Sequence, residues 1–281
     1  MTEIETLLEE DDGIALRTRL RLLNDRGSRE TERLKEKTLV TLRGTQLPDG
    51  SWGRSIYRTL SNLHLLIDAD EAETGAFRRG FDWILSLKGP MGFHEYWVEG
   101  MTIRARDVNC PYGCRLGTPE FSGRVLYLFG RIGYDAAVVD ETIRNTLQFQ
   151  RHDGGFHGPR FWEEDGRSCP GATLWVARGL LSLGREQDIV EQAISFVTGE
   201  DIVDTPYQYS TSVLALETLY LHSPKETPRA AEHIEYLLSL REGGRWRFGS
   251  YNQTRRQVRA NIFMVLRAVC KFRPRILDAL Q

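Results

Sequence analysis

The sequence has no run approaching ~20 uninterrupted apolar residues, so no membrane-spanning helix is expected. It also lacks a basic segment followed by an apolar stretch near Met1. The first residues, through Asp12, are acidic instead, and without a secretory signal a cytoplasmic protein is expected. Cysteine is scarce, four in 281 residues, too few for a disulfide scaffold, and reduced thiols are the default reading. No charge of one sign dominates. The 37 lysines and arginines stand against 39 acids, which leaves no basic footprint for a nucleic-acid partner. No segment alternates polar and apolar residues as a half-buried strand does. What remains is an all-α chain whose 41% hydrophobic content is enough for a sizeable core.

Internal repetition organises that chain. Leu42-Arg-Gly-Thr-Gln46-Leu-Pro-Asp-Gly50-Ser-Trp52 is followed by Leu85-Ser-Leu-Lys88-Gly-Pro-Met-Gly92-Phe-His94. Leu147-Gln-Phe-Gln150-Arg-His-Asp-Gly154-Gly-Phe156 and Leu238-Ser-Leu-Arg-Glu-Gly-Gly244-Arg-Trp246 come later. Each closes an amphipathic segment with a glycine turn and then an aromatic residue or His. A degenerate fifth copy lies at Ile194 to Gly199, and the last three spacings are roughly 40 to 50 residues, the size of one helical hairpin.

Helix starts are marked by Thr118-Pro119, Cys169-Pro170, Thr205-Pro206 and Thr227-Pro228, each a cap residue before a proline suited to the first helical position. Apolar stripes such as Val125, Leu128, Phe129 and Ile132 follow at helical spacing, with Gly133 and Gly184 as stops. The pattern predicts one helix over about 3 to 24, then inner and outer helices in alternation from near 30, 55, 75, 118, 136, 169, 187, 206, 228 and 254. That is about eleven helices, or five to six hairpins, in a single domain: an amino-terminal helix and linker over 1–29, repeats over 30–252 and a carboxy-terminal helix over 253–281.

The stretch Arg79-Gly80-Phe-Asp-Trp83-Ile84-Leu-Ser-Leu-Lys88-Gly-Pro-Met-Gly92-Phe-His94 resembles the squalene cyclase repeat, with Lys88 in place of Gln and His94 in place of Trp. The earlier copy keeps Gln46, Gly50 and Trp52 and has Thr41 where the family has an aromatic residue. The segment Phe149 to Ala172, with Gln150, Asp153-Gly154, Trp162-Glu-Glu-Asp165-Gly-Arg167 and Cys169, is similar to a repeat of the protein prenyltransferase β subunits. The resemblance covers most of the chain from about residue 35 to 250. It implies an α/α toroid of the terpenoid cyclase and prenyltransferase superfamily, in which the Gln amide and Trp ring clamp one outer helix to the next. It also implies an isoprenoid or other small apolar ligand in the central cavity. The prenyltransferase β subunits work with a partner subunit; the oligomeric state of this chain is left open.

The family's catalytic signatures are absent. The nearest string to the cyclase Asp-x-Asp-Asp run is Asp68-Ala69-Asp70-Glu71, read here as a solvated turn after the helix ending near Ile67. The prenyltransferase zinc set has Asp-x-Cys, whereas Arg167 precedes Cys169, and the later helix opens Tyr207-Gln208-Tyr209 without a His.

A toroid brings the starts of its inner helices to one mouth, and the candidate residues are those placed there. Cys110, Cys114 and Cys169 with His157 make a three-thiolate, one-imidazole set that suits zinc, while the loose Cys-x3-Cys spacing equally suits buried free thiols, a disulfide or a reactive thiol. Cys270 lies on an apolar helix and is read as core. Trp97, Trp162, Tyr207 and Tyr209 offer ring faces to a cation or an isoprenoid chain, and Trp52 and Trp246 are read as clamps. Arg160, Arg167 and Arg255 suit a diphosphate through charge-assisted hydrogen bonds, with surface ion pairing as the alternative. Asp107 and Asp165 are the candidate acids or bases, provided burial raises their pKa. Three functions follow as expectations: an isoprenoid cyclase or prenyl-transfer enzyme, a non-catalytic toroid binding module, or a zinc-dependent enzyme of unrelated chemistry.

Overall fold

The computed structural model describes residues 2–10, 12–88, 93, 119–156, 168–199, 208–243, 245–248 and 253–279. Over these the chain is all-α: α1 (Glu3–Leu8), α2 (Gly13–Arg21), α3 (Arg29–Thr45), α4 (Ile56–Asp68), α5 (Gly75–Ser86), α6 (Pro119–Ile132), α7 (Ala137–Leu147), α8 (Pro170–Leu183), α9 (Gln187–Gly199), α10 (Gln208–His222), α11 (Pro228–Ser239), α12 (Arg255–Phe272) and α13 (Ile276–Ala279). Its only paired strands among the described residues are Arg241–Glu242 and Arg245–Trp246, an antiparallel hairpin.

Ten helix starts fall within two residues of those predicted from caps and prolines. The single helix predicted over 3 to 24 is instead two. Asp12 breaks it: its carboxylate accepts from Ile14 and Ala15 N–H at 2.9 and 3.0 Å, so the backbone there is spent on starting a new helix. Ser28, Thr74 and Thr227 cap α3, α5 and α11 in the same way, and Thr254 with Gln257 forms a reciprocal box at the start of α12.

Six helices contact one another in a closed order. α2 packs on α4, α4 on α6, α6 on α8, α8 on α10, α10 on α12, and α12 returns to α2. Each of them also carries a further helix: α3 on α2, α5 on α4, α7 on α6, α9 on α8, α11 on α10, and α1 against both α12 and α2. The apolar core lies between the two sets, where Leu63, Leu66, Ile84, Leu126, Leu128, Phe129 and Leu174 are fully buried. Each such side chain contributes about 1.5–3 kcal/mol of transfer free energy.

The closest approach is between α6 and α8. A Cβ on Gly123 would fall on the Trp175 carbonyl, and one on Gly179 would stand 2.7 Å from the Gly123 carbonyl oxygen. Small residues on both helices therefore set the spacing of the two backbones.

The repeat is also visible as geometry. At the end of α3, Gln46 Nε2 donates to Gly50 O and to Ala76 O of α5, both at 2.8 Å, and Arg79 donates to the Gln46 oxygen at 2.7 Å. At the end of α7, Gln150 Nε2 donates to Gln192 Oε1 of α9 at 2.9 Å. Asp49 accepts from Ser51 N–H, and Asp153 accepts from Gly155 N–H, at the same offset. Trp52 N–H bonds to the Thr59 hydroxyl, and Phe156 N–H to the Thr173 hydroxyl, each threonine being the fourth residue of the next helix of the cycle. Gly50 adopts φ +91°, and a side chain there would strike the Arg79 carbonyl, so the turn excludes other residues on two counts. The clamp expected of Trp52 is present: its ring is buried against Gly80 of α5 and its Nε1 donates to Leu42 O at 2.8 Å. Trp246 differs. Its ring stacks on Phe248 at 5.9 Å, and its indole N–H has no partner among the described residues.

Candidate functional site

A helix flanked by two neighbours and backed by a third has one side left. On α6 that side is a half-exposed stripe of Glu120, Arg124, Tyr127 and Arg131, while Phe121, Ser122, Val125, Leu126, Leu128 and Phe129 around it are buried. On α12 it is Ala260, Met264, Arg267 and Lys271; on α4 it is half-exposed His64 with exposed Tyr57 and Ser61, ending in buried Asp68. The 3–4 spacing marks one face of each helix. The side chains of these faces meet those of the neighbouring helices in the contact order.

At the carboxy-terminal ends of α2, α4 and α6, Asp68 is the meeting point. Its side chain is 3% exposed and accepts from Arg131 Nη2 at 2.8 Å and Arg21 Nε at 3.1 Å, with Arg21 Nη2 against the same oxygen and Arg17 Nε 3.5 Å away. Burial alone would raise this carboxyl. Arg131, Arg17 and Arg21 overcome it and hold the pKa down to about 2. Arg17 also donates to Ser61 O at 2.6 Å. Next to this group, His64 Nδ1 lies 3.3 Å from Arg131 Nη1. An arginine only donates, so the imidazole accepts and is neutral there. Burial, then Arg131, Arg17 and Arg178, push its pKa well below the usual range.

One turn higher the contacts continue from α6 to α12. The Arg178 guanidinium sits 4.0 Å over the Tyr127 ring and 2.6 Å from Glu217 Oε2, and both members of that ion pair are buried. Arg267 lies against the other Glu217 oxygen. Burial opposes ionisation of Glu217, but Arg178, Arg267 and Lys271 hold it down to about 2. Burial would raise the Tyr127 phenol, and Arg178 and Arg131 lower it instead. Lys271 reaches over the Tyr220 ring at 5.3 Å.

Nearer the helix starts, Arg124 is held between two rings, 3.9 Å over Trp175 and 4.9 Å over Tyr57. Glu120, one turn back on α6, accepts from it at 2.6 Å. This layer presents aromatic faces with a cation already between them.

The sequence singled out other residues. Asp107, Asp165, Trp97, Trp162, Tyr207, Arg160, Arg167, Cys110, Cys114 and His157 lie outside the described residues. Cys169 is buried immediately before α8, with its backbone N–H bonded to Phe156 O. Among the described residues no three His, Cys, Asp or Glu side chains converge as a metal set. Tyr209 is half-buried with its ring 5.1 Å from Phe248. Arg255 is 64% exposed and paired with Glu9, which is the surface pairing weighed as its alternative. Cys270 is half-buried, and burial pushes its thiol up to about 11, as suits a packed residue.

Asp68 is a correction. Read as part of a solvated turn, it is the buried hub of three arginines; only Asp70 in that run is openly exposed, at 71%. The network as a whole was missed, although arginine and aromatic residues at 3–4 spacing on otherwise apolar helices were there to be seen. A surface groove of about 1020 Å³ along α3, bordered by residues such as Arg29, Glu36 and Arg43, touches none of these groups. No protein-family model matches the chain and no curated protein matches it, so the family likeness rests on the repeat residues alone.

Proposed function

We propose that the six-helix cycle is the inner wall of an α/α toroid and that the space inside it binds an isoprenoid, with cyclisation or prenyl transfer as the reaction. The observation that carries this reading is the half-exposed stripe on the inner faces, because side chains enclosed by packed helices stay half-exposed only where they border open space. The Tyr57 and Trp175 rings supply the polarisable apolar wall that an isoprenoid chain needs. The same rings suit a carbocation if Arg124 gives way, since it is held there by stacking and one carboxylate. The repeat turns with their Gln46 and Trp52 contacts support the family likeness on which the substrate class rests.

Titration of the protein with farnesol and farnesyl diphosphate, followed by tryptophan emission, tests the reading. Saturable quenching that is lost in Trp175→Phe is expected. Release of diphosphate or formation of a new hydrocarbon identifies an enzyme, and saturable binding without turnover identifies a binding module. Failure of both compounds to bind removes the isoprenoid reading.

A further inference from the structure

The inner wall holds more cations than it can pair. Arg17, Arg21 and Arg131 share Asp68, and Arg178 and Arg267 share Glu217. Lys271 has no hydrogen-bond or ion-pair partner among the described residues. Among the described residues six cations stand against two carboxylates, an excess of four positive charges. Among the described residues the buried Nε–H groups of Arg178 and Arg267 donate no hydrogen bond, that of Arg17 stands 3.5 Å from Asp68 without bonding it, and Arg178 as a whole is only 5% exposed. An unmade hydrogen bond on a buried charged donor is costly.

These cations lie near one another. Arg267, Arg131 and Arg21 all bear electrostatically on Arg17, while Arg178 and Arg267 bear on Lys271. Burial, with these neighbours, pushes Arg17 down to about 10 and lowers Lys271. Helix ends explain part of the excess. Arg21, Arg131 and Lys271 stand in the last turns of α2, α6 and α12, where a helix carries about half a negative charge. That effect fades within a turn, and Arg17, Arg178 and Arg267 lie beyond it.

We propose that the floor of the chamber, between Arg17, Arg131, Arg178, Arg267 and Lys271, binds a small multivalent oxyanion, the phosphate, diphosphate or carboxylate group of a small molecule. Guanidinium forks match the planar or tetrahedral oxygens of such groups and present several donors at once. The inference rests on the reading that the helix cycle encloses accessible space, and it does not depend on the isoprenoid class.

Calorimetric titration of the full chain at low ionic strength with inorganic phosphate, inorganic diphosphate and citrate tests it and distinguishes the oxyanion classes. Saturable binding of at least one anion is expected, weakened by added sodium chloride. Lys271→Gln, which breaks no ion pair, is expected to weaken it about tenfold, and Arg267→Gln serves as the second variant. Arg273→Gln is the control, since that arginine pairs outside the network with Glu226 and Glu235, and less than a twofold change is expected. No heat with any of the three anions overturns the inference, as does equal weakening in Arg273→Gln. Farnesol binding without anion binding removes the oxyanion floor and leaves the isoprenoid reading; anion binding without farnesol binding does the reverse.

Discussion

Replacing Asp68 by Asn removes the negative charge on which three helices converge, and its consequence can be worked out before it is measured. In the wild type the carboxyl is held at about 2 against an ordinary 3.8. A depressed folded-state pKa means that the contribution is complete above pH ~4 and is lost as pH falls through 2. The difference is worth about 2 kcal/mol at neutral pH, undiscounted because the side chain is 3% exposed. Asn leaves Arg17, Arg21 and Arg131 facing a neutral amide. Breaking a fully buried pair costs about 3–5 kcal/mol. These arginines retain 17–35% exposure and recover some hydration, so a loss of about 2–3 kcal/mol is expected at pH 7. Urea melts at low salt from pH 7 down to 2, read as shifts in midpoint at constant slope, provide the measurement. The gap between wild type and Asp68→Asn is expected to narrow below about 1 kcal/mol as the wild-type carboxyl protonates. Asp70→Asn, at an exposed pair, is expected to cost under ~0.5 kcal/mol. A gap that stays constant across that pH range, or a variant as stable as wild type at pH 7, refutes the assignment of Asp68 as an ionised hub.

Arg259→Leu strips the seam between the two ends of the chain. This fully buried guanidinium donates to Thr6 O and Leu7 O at 3.0 and 2.7 Å and pairs with Asp12 at 3.0 Å, so its loss is expected to cost about 3–5 kcal/mol. Differential scanning calorimetry is expected to show a melting temperature lower by roughly 6–12 °C, with faster proteolysis near residues 9–12, and a shift under ~2 °C counts against the seam. Gly123→Ala places a methyl group against the Trp175 backbone, which cannot swing aside as a side chain can. A loss of about 2–3 kcal/mol in chemical melts is expected, and a neutral result rejects the close α6–α8 approach.

The fold was legible where its signals are local. A cap residue followed by proline, a glycine turn and a stripe of apolar residues are decided within a turn or two of chain, and they placed the helix starts within two residues. The clamp was legible only through the family resemblance, because Gln46 and Trp52 reach beyond their own turn to Ala76 and Gly80 of α5. Asp12-Gly13 carried a cap signal of the same kind, but it was absorbed into an acidic leader and the break between α1 and α2 was passed over. A closed order of helices was expected only from the family resemblance, not from any local pattern. It depends on Arg259 meeting Asp12, residues at opposite ends of the sequence, and no local pattern sets that pairing.

The inner network was missed for a different reason. A polar stripe on an amphipathic helix reads as a solvent face, and for α3 that reading is right: Arg33 and Glu30 are each more than 40% exposed and pair with each other. The stripe on α6 has the same period but different chemistry, with Arg124, Tyr127 and Arg131 in succession, and on α8 Trp175 is followed by Arg178. A solvent face gains little from tyrosine or tryptophan, whose large apolar surface is costly to leave in water. Arginine alternating with aromatic rings is therefore the mark of a polar face packed against other helices, where rings shield guanidinium groups from unpaired burial. Only the contacts with neighbouring helices give that pattern its meaning.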